Sequence, residues 1–322
     1  MTQEIEQDNI PENIDVLELL QKEFDNLSPK TLEIYKYVQK NNPKVLFRTD
    51  MDLKPETVDG FALSHQEMYE GLSDEIVIKI INGESDITVI GSAMFGGKTT
   101  LAMYISEKLK QRGFENQIYI ADMMNEDTVT GRSYPGEDKI RPAMRYGSST
   151  EKINLPKSEK SIVILDEFSF LPNLEDVERF VKECGENGTK VILLGLNTNY
   201  LGDNLEVFQK LQETVGDHNL VTLKSFVPGV DLNNEPTGTK TTRFLKVGGY
   251  WIKDFGVLPL VVSKELGKLI HYCSATEEQA SINILRDRPN LLDYILNPSA
   301  KLELIQRLRL DQLKEKFGYI EN

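Results

Sequence analysis

The segment SAMFGGKTT, residues 92–100, has the residue types and spacing of a phosphate site. Its GKT matches the end of the pattern G-x-x-x-x-G-K-[ST], and Ser92 stands where that pattern has its first glycine. Paired glycines let backbone amides approach phosphate oxygens, the lysine neutralises them, and the threonine hydroxyl can ligate Mg²⁺. The alternative is a glycine-rich turn before an ordinary helix. The predicted ATP-binding residues are Ser92, Ala93, Met94, Phe95, Gly96, Gly97, Lys98, Thr99 and Thr100.

A second motif, SIVILDEF, places two carboxylates directly after an apolar run. An acid at the end of such a strand is the usual second partner of a phosphate loop, so Asp166 is a candidate magnesium ligand together with Thr99. Glu167 is a candidate general base, provided that it reaches an attacking hydroxyl. An acidic pair that merely caps a strand at the surface is the alternative, and it loses weight when a phosphate loop precedes it.

The elements that must position these residues alternate along the middle of the chain. Short apolar runs predict strands at 87–91, 117–121, 161–165, 190–195 and 220–224. Helical patterns follow at 98–112, 174–184 and 204–214. Continuous apolar strands separated by helices predict an α/β fold with a mainly parallel sheet covered on both faces. Ligands of such sheets bind beyond the carboxyl ends of the strands, where both motifs fall.

Four parts follow from the patterning. We expect a helical N-terminal extension at 1–82, a P-loop nucleotide-binding core at 83–225, a small β lid lobe at 226–265, and a helical C-terminal extension at 266–322. Within the core, residues 125–160 are rich in Gly, Ser, Pro and charge and predict a long loop.

Net charge, cysteine count and the distribution of apolar residues exclude several classes of protein. The 322 residues carry a formal net charge of −14, which makes nucleic acid an unlikely main partner. Two cysteines are too few for a disulfide scaffold or a four-cysteine zinc site. No apolar stretch approaches a membrane span, and the acidic start is not a secretory signal, so we expect a cytoplasmic protein.

The ordered motifs resemble the type II thymidine kinases. SAMFGGKTT is similar to the family's G-P-M-F-S-G-K-[ST]-T, and ILDEFSFL to its V-D-E-x-Q-F-[FL]. VILLGLNTNYLGDNLEVF resembles the strand ending in G-L-x-T-D-F-R-G-x-x-F, and LKVGGYWI the V-G-G segment of the nucleoside-covering loop. VTGRSYPG, with Arg132, is a weaker likeness to the V-x-S-R-x-G loop. Together the blocks span roughly residues 85–265.

The resemblance implies ATP- and Mg²⁺-dependent phosphorylation of a deoxynucleoside, thymidine first, at its 5′-hydroxyl. Lys98 would hold the phosphates, and Glu167 would be the base. Related enzymes are usually oligomers, so a homo-oligomer is possible. The residues matching the family's nucleoside pocket are Met94, Phe170, Leu196 and Tyr200.

Departures from the family leave alternatives open. Its two zinc-binding cysteine pairs fall here near Phe226, Pro228, Pro259 and Val262, so we expect no zinc. Asn199-Tyr200-Leu201 replaces its Asp-Phe-Arg, and Ser169 replaces the glutamine after the acid pair. One alternative is a P-loop ATPase acting on a macromolecule. The other is a catalytically inactive nucleotide-binding relative.

Overall fold

In the described part of the chain, the main elements are two sheets, a short strand pair and four α-helices of ten residues or more. The computed structural model describes residues 15, 17–19, 35–36, 39–40, 47–48, 66–94, 96–121, 128–130, 140–146, 153, 155, 160–171, 174–199, 202, 204–225, 238–247, 250–254 and 270–276. The strands are β1 (Phe47–Arg48), β2 (Ile87–Ser92), β3 (Glu115–Ala121), β4 (Thr128–Thr130), β5 (Ile140–Pro142), β6 (Met144–Tyr146), β7 (Ser161–Asp166), β8 (Lys190–Leu196), β9 (Leu220–Leu223), β10 (Lys240–Val247), β11 (Tyr250–Lys253) and β12 (Ile270–Ala275). The helices are α1 (Gln66–Ile81), α2 (Lys98–Gln111), α3 (Leu174–Asn187) and α4 (Glu206–Val215).

The first sheet is parallel and has six strands in the order β6-β3-β7-β8-β2-β9. Because every strand runs the same way, all their carboxyl ends lie at one edge. Strand β8 lies between β2, which leads into the phosphate loop, and β7, which leads into the acid pair. The order therefore brings both motifs to one edge, separated by the width of a single strand.

Helices cover both faces of this sheet because successive strand residues point to opposite sides. On one side Ile164 and Ile192 share a buried cluster with residues of α1 and α2. On the other, Val163 and Leu193 share a second cluster with residues of α3 and α4. This confirms the predicted α/β fold with a mainly parallel sheet flanked by helices.

Helix α1 lies within the expected N-terminal extension, but it packs as part of the core. Its buried residues Tyr69, Ile76, Val77 and Ile80 lie in the same cluster as the apolar residues of α2. The Lys108 ammonium of α2 donates to the carbonyl of Glu70 at 2.8 Å and forms an ion pair with Asp74. Part of the segment expected to be an N-terminal extension thus forms one wall of the nucleotide-binding core.

The second sheet is antiparallel, with the order β1-β11-β10-β12. Of this sheet, the small β lid lobe expected at 226–265 includes only the β10–β11 hairpin. Strand β12 differs from the expected helical C-terminal extension, because its residues pair with the open edge of β10 from Lys240 to Leu245. A buried ion pair, Arg243 with Asp254, crosses this sheet with an Nε–Oδ2 distance of 2.6 Å.

The expected loop at 125–160 contains three short strands. Strands β4 and β5 pair with each other, and β6 adds to the edge of the parallel sheet beside β3. Within the described part of the chain, no helix is both long and apolar enough to cross a membrane.

Candidate functional site

The described residues of the predicted phosphate loop, 93–94 and 96–97, lie between β2 and α2. Gly97 has φ of 74°, a left-handed conformation that favours glycine, and a Cβ there would lie 2.0 Å from the Tyr69 hydroxyl. A Cβ on Gly96 would lie 2.2 Å from Ser92 Oγ. Both glycines are therefore required by close packing. The first amides of α2, including those of Lys98 and Thr99, have no carbonyl one turn earlier within the helix, which suits them to bind an anion.

Lys98 is held by the residue that replaces the usual first glycine. Its side chain is buried, and its ammonium donates to Ser92 Oγ at 3.3 Å. The Ser92 hydroxyl in turn donates to the carbonyl of Ala93 at 2.7 Å. The serine hydroxyl thus holds the lysine ammonium beside the loop, a contact that a glycine at this position could not make.

Thr99 and Asp166 join the two motifs directly. The threonine hydroxyl donates to Asp166 Oδ2 at 2.8 Å, and the amide of Glu167 donates to Asp166 Oδ1 at 3.1 Å. Burial raises the pKa of Asp166, while the Thr99 hydrogen bond and the Lys98 charge oppose that shift. A hydroxyl and a carboxylate at one point are hard oxygen donors that fit Mg²⁺, which would favour the ionised carboxylate.

Glu167 has the conformation and surroundings of a functional carboxylate. Its φ of 61° is the one positive φ outside glycine among the described residues, a strain that costs free energy. Its Oε2 atom is buried and has no hydrogen-bond partner within the described part of the chain. Burial raises the pKa of Glu167 to about 7; the Lys98 charge lowers it and the Asp166 charge raises it. The carboxylate can therefore accept a proton from a substrate near neutral pH.

Asn197 is a candidate that the sequence reasoning missed. It follows β8, and its amide donates to the carbonyl of Ser92 at 3.1 Å. Its Oδ1 atom is also buried without a partner among the residues described. Although Asn197 lies in the block VILLGLNTNYLGDNLEVF, only the strand order, which places β8 between the two motifs, shows that it lies beside them.

Tyr69 was also missed, because residues 1–82 showed no chemical pattern. Its hydroxyl lies against the phosphate loop and donates to the carbonyl of Gly96 at 3.5 Å. Burial raises the pKa of this tyrosine to about 12, so its hydroxyl stays protonated where it lines the site.

The predicted nucleoside pocket is described only in part. Leu196 is buried and pairs with Ser92 across the sheet, so it lies at the same edge as the phosphate loop. Its amide donates to Ser169 Oγ at 2.9 Å, which gives this serine a role in positioning the end of β8. Met94 is partly buried in the loop. Phe95, Tyr200 and Arg132, and the side chain of Phe170, lie outside the described residues.

The structure describes no group of three His, Cys, Asp or Glu residues that could hold a metal ion by itself. Both cysteines are buried free thiols, Cys184 in α3 and Cys273 in β12. Thr99 and Asp166 are only two protein donors. That number suits an ion that takes its remaining ligands from nucleotide and water, as Mg²⁺ does.

A phosphate loop, an acid pair after a neighbouring strand and a parallel sheet covered by helices define the class of P-loop nucleotide-binding proteins. The thymidine kinase family model matches residues 85–224 of the chain. This match supports, in general terms, a nucleoside kinase activity that uses ATP.

The chain was also compared with solved structures and with curated proteins. A solved structure of the large terminase from the thermophilic bacteriophage D6E aligns with 12% identity and a TM-score of 0.28, covering 46% of this chain and 44% of that one. The alignment spans less than half of either protein. No curated protein matches the chain.

Proposed function

We propose that this protein transfers the γ-phosphate of ATP to the 5′-hydroxyl of a deoxynucleoside, with thymidine as the first candidate. The observation that carries the proposal is the buried Oε2 of Glu167, which has no hydrogen-bond partner among the described residues and lies at the same sheet edge as the phosphate loop with Lys98. A carboxylate that has lost water without gaining a partner is costly unless a substrate supplies the missing donor.

The chain's own groups suggest how the reaction runs. Lys98 and the first amides of α2 bind the β- and γ-phosphates and offset charge on their oxygens. Mg²⁺, held at Thr99 and Asp166, would supply further neutralisation of that charge. The nucleoside hydroxyl donates its proton to Glu167 Oε2 as its oxygen forms a bond to the γ-phosphorus. The bond between that phosphorus and the β–γ bridging oxygen breaks, and ADP leaves with the bridging oxygen.

Nucleoside selection rests on the apolar side of the site. Leu196 and Met94 lie at the edge where the acceptor must bind, and flat bases favour apolar and aromatic surroundings. The family pattern adds Phe170 and Tyr200 to this pocket. Because Asn199-Tyr200-Leu201 replaces the family's Asp-Phe-Arg, a panel of nucleosides is the right test of the acceptor.

The experiment incubates the protein with ATP, Mg²⁺ and each common nucleoside in turn and separates the nucleotides by chromatography. We expect a 5′-monophosphate from at least one deoxynucleoside. Glu167→Gln should lower the rate by about 10²-fold or more while ATP still binds, because the amide keeps the shape but cannot take the proton. Glu178→Gln, an exposed change on α3, is the matched control. The absence of product from every nucleoside would refute the proposal.

A further inference from the structure

Three hydroxyl residues connect the second sheet to the phosphate loop, and we name Thr198, Ser225 and Thr241 the hydroxyl brace. All three are buried, with exposed fractions of 1%, 0% and 1%. Thr241 belongs to β10 of the second sheet, outside residues 85–224 that match the thymidine kinase model. The brace is therefore a contact between the family's core and a part of the chain beyond it.

Thr241 is the central member of the hydroxyl brace, because its side chain and its backbone each form a hydrogen bond to a different segment. Its Oγ1 accepts a hydrogen bond of 3.0 Å from the amide of Met94 in the phosphate loop. Its amide donates to Thr198 Oγ1, also at 3.0 Å, just beyond the end of β8. One residue thus joins the loop to the strand that separates the two site motifs.

Ser225 supplies a second connection at the neighbouring point of the loop. It pairs with Gly238 through two backbone hydrogen bonds of 2.8 Å, and its Oγ lies 3.5 Å from the carbonyl of Ala93. A Cβ on Gly96 would lie 2.8 Å from the same Oγ. Ser225, which follows β9, therefore packs directly against the phosphate loop.

We propose that Thr241 is a positioning residue of the nucleotide site, so that nucleotide binding and the stability of the second sheet are coupled. The inference rests on the nucleotide-binding part of the proposed function, and it does not depend on which acceptor is phosphorylated. The amide of Met94 is partly buried and belongs to the loop that leads to Lys98, so the loss of its acceptor weakens the position of that loop. Conversely, a nucleotide that orders the loop strengthens its contact with β10, since coupling between two sites is reciprocal.

The chain offers a matched control at the next residue. Thr242 is also buried on β10, with an exposed fraction of 2%, but its hydroxyl contacts Cys273 Sγ at 3.3 Å. Adjacent strand residues point to opposite faces, so Thr242→Val repeats the chemistry of Thr241→Val away from the loop. Thr241→Ser keeps the hydroxyl and should restore the function that valine removes.

The first measurement is calorimetric titration of ATP with Mg²⁺ into the full-length variants. Thr241→Val should weaken binding about ten-fold, because the Met94 amide loses its acceptor. Thr241→Ser and Thr242→Val should remain within about two-fold of the wild type, since both keep that bond. Equal affinity of Thr241→Val and Thr242→Val would overturn the inference.

The second measurement uses hydrogen exchange of the amides in β10 and begins with the wild type, before any variant is compared. Saturating ADP with Mg²⁺ should slow their exchange, and the slowing should persist in Thr242→Val but disappear in Thr241→Val. Acrylamide quenching of Trp251, the single tryptophan of the chain, reports on the adjoining strand β11. Unchanged exchange in the wild type would overturn the coupling even where the kinase assay succeeds. Coupling without any nucleoside phosphorylation would refute only the proposed function.

Discussion

The hydroxyl of Thr99 donates to Asp166 Oδ2 at 2.8 Å, although the two residues are 67 positions apart in the sequence. This bond holds the start of α2 against the end of β7 across the width of β8. It fixes the place where a magnesium ion could meet both residues, and it therefore sets the geometry on which the proposed reaction depends.

The first prediction concerns magnesium. Asp166→Asn removes the charge that would attract the ion but keeps an oxygen for the Thr99 hydrogen bond. We expect Mg²⁺-dependent ATP binding to weaken by about ten-fold or more, because charge count sets the affinity of such sites. Binding of ATP in the presence of a chelator should change much less. Calorimetric titrations with and without Mg²⁺ measure both, and an equal loss under the two conditions would argue against a metal role for Asp166.

The second prediction concerns Ser92 as the partner of the Lys98 ammonium. Ser92→Ala removes the hydroxyl acceptor, so we expect ATP affinity to fall by about 1 kcal/mol, the usual worth of one hydrogen bond. Ser92→Thr keeps a hydroxyl and serves as the control. Fluorescence titration with a labelled nucleotide gives the comparison. An alanine variant that binds as tightly as the wild type would show that Lys98 does not need this serine.

The third prediction separates function from stability at Asn197. A buried acceptor without a partner costs free energy, so Asn197→Leu should leave the thermal midpoint equal to or above that of the wild type. Turnover should fall by about ten-fold or more, because a polar group beside the reacting atoms is lost. Calorimetry and the nucleoside assay supply the two values. A variant that loses stability and activity together would assign Asn197 a structural role instead.

The fourth prediction concerns pH and the second sheet. Burial lowers the pKa of Lys253 from 10.5 to about 8, an effect that the nearby Cys273 partly opposes. Between these pH values the side chain of Lys253 is protonated in the unfolded chain but neutral in the folded chain. The free energy of unfolding therefore falls as the pH drops from 10 towards 8. Lys253→Met removes the linkage. The free energy of unfolding of Lys253→Met minus that of the wild type should increase by on the order of 2 kcal/mol as the pH falls from 10 to 8.

Urea unfolding at three pH values across this range tests the fourth prediction. Lys246→Met, the same residue change at a partly buried position of β10, is the control. A difference between Lys253→Met and the wild type that stays constant with pH would contradict the lowered pKa.

The sequence predicted those parts of the site that are encoded locally. The glycines, Lys98 and Thr99 lie within one turn, and Asp166 with Glu167 directly follows an apolar strand, so spacing alone located them. The parallel sheet could also be predicted, because its strands are apolar on both faces, unlike half-exposed ones.

What the sequence did not predict depends on contacts between distant segments. Asn197 gains its position from the order of strands, which no local pattern encodes. Thr241 meets Met94 across 147 positions. Helix α1 has a visible helical period, but nothing in that period shows that Tyr69 packs on the loop. Strand β12 forms because β10 offers an open edge, and a short run such as IHYCSA has no strong preference by itself.

The most direct test of the central claim follows the phosphorus itself. A ³¹P NMR time course of ATP, Mg²⁺ and the accepted deoxynucleoside should show one nucleoside 5′-monophosphate for each ADP formed, with no signal growth in Glu167→Gln. ADP and inorganic phosphate released at a rate independent of nucleoside would contradict the account and identify an ATPase instead.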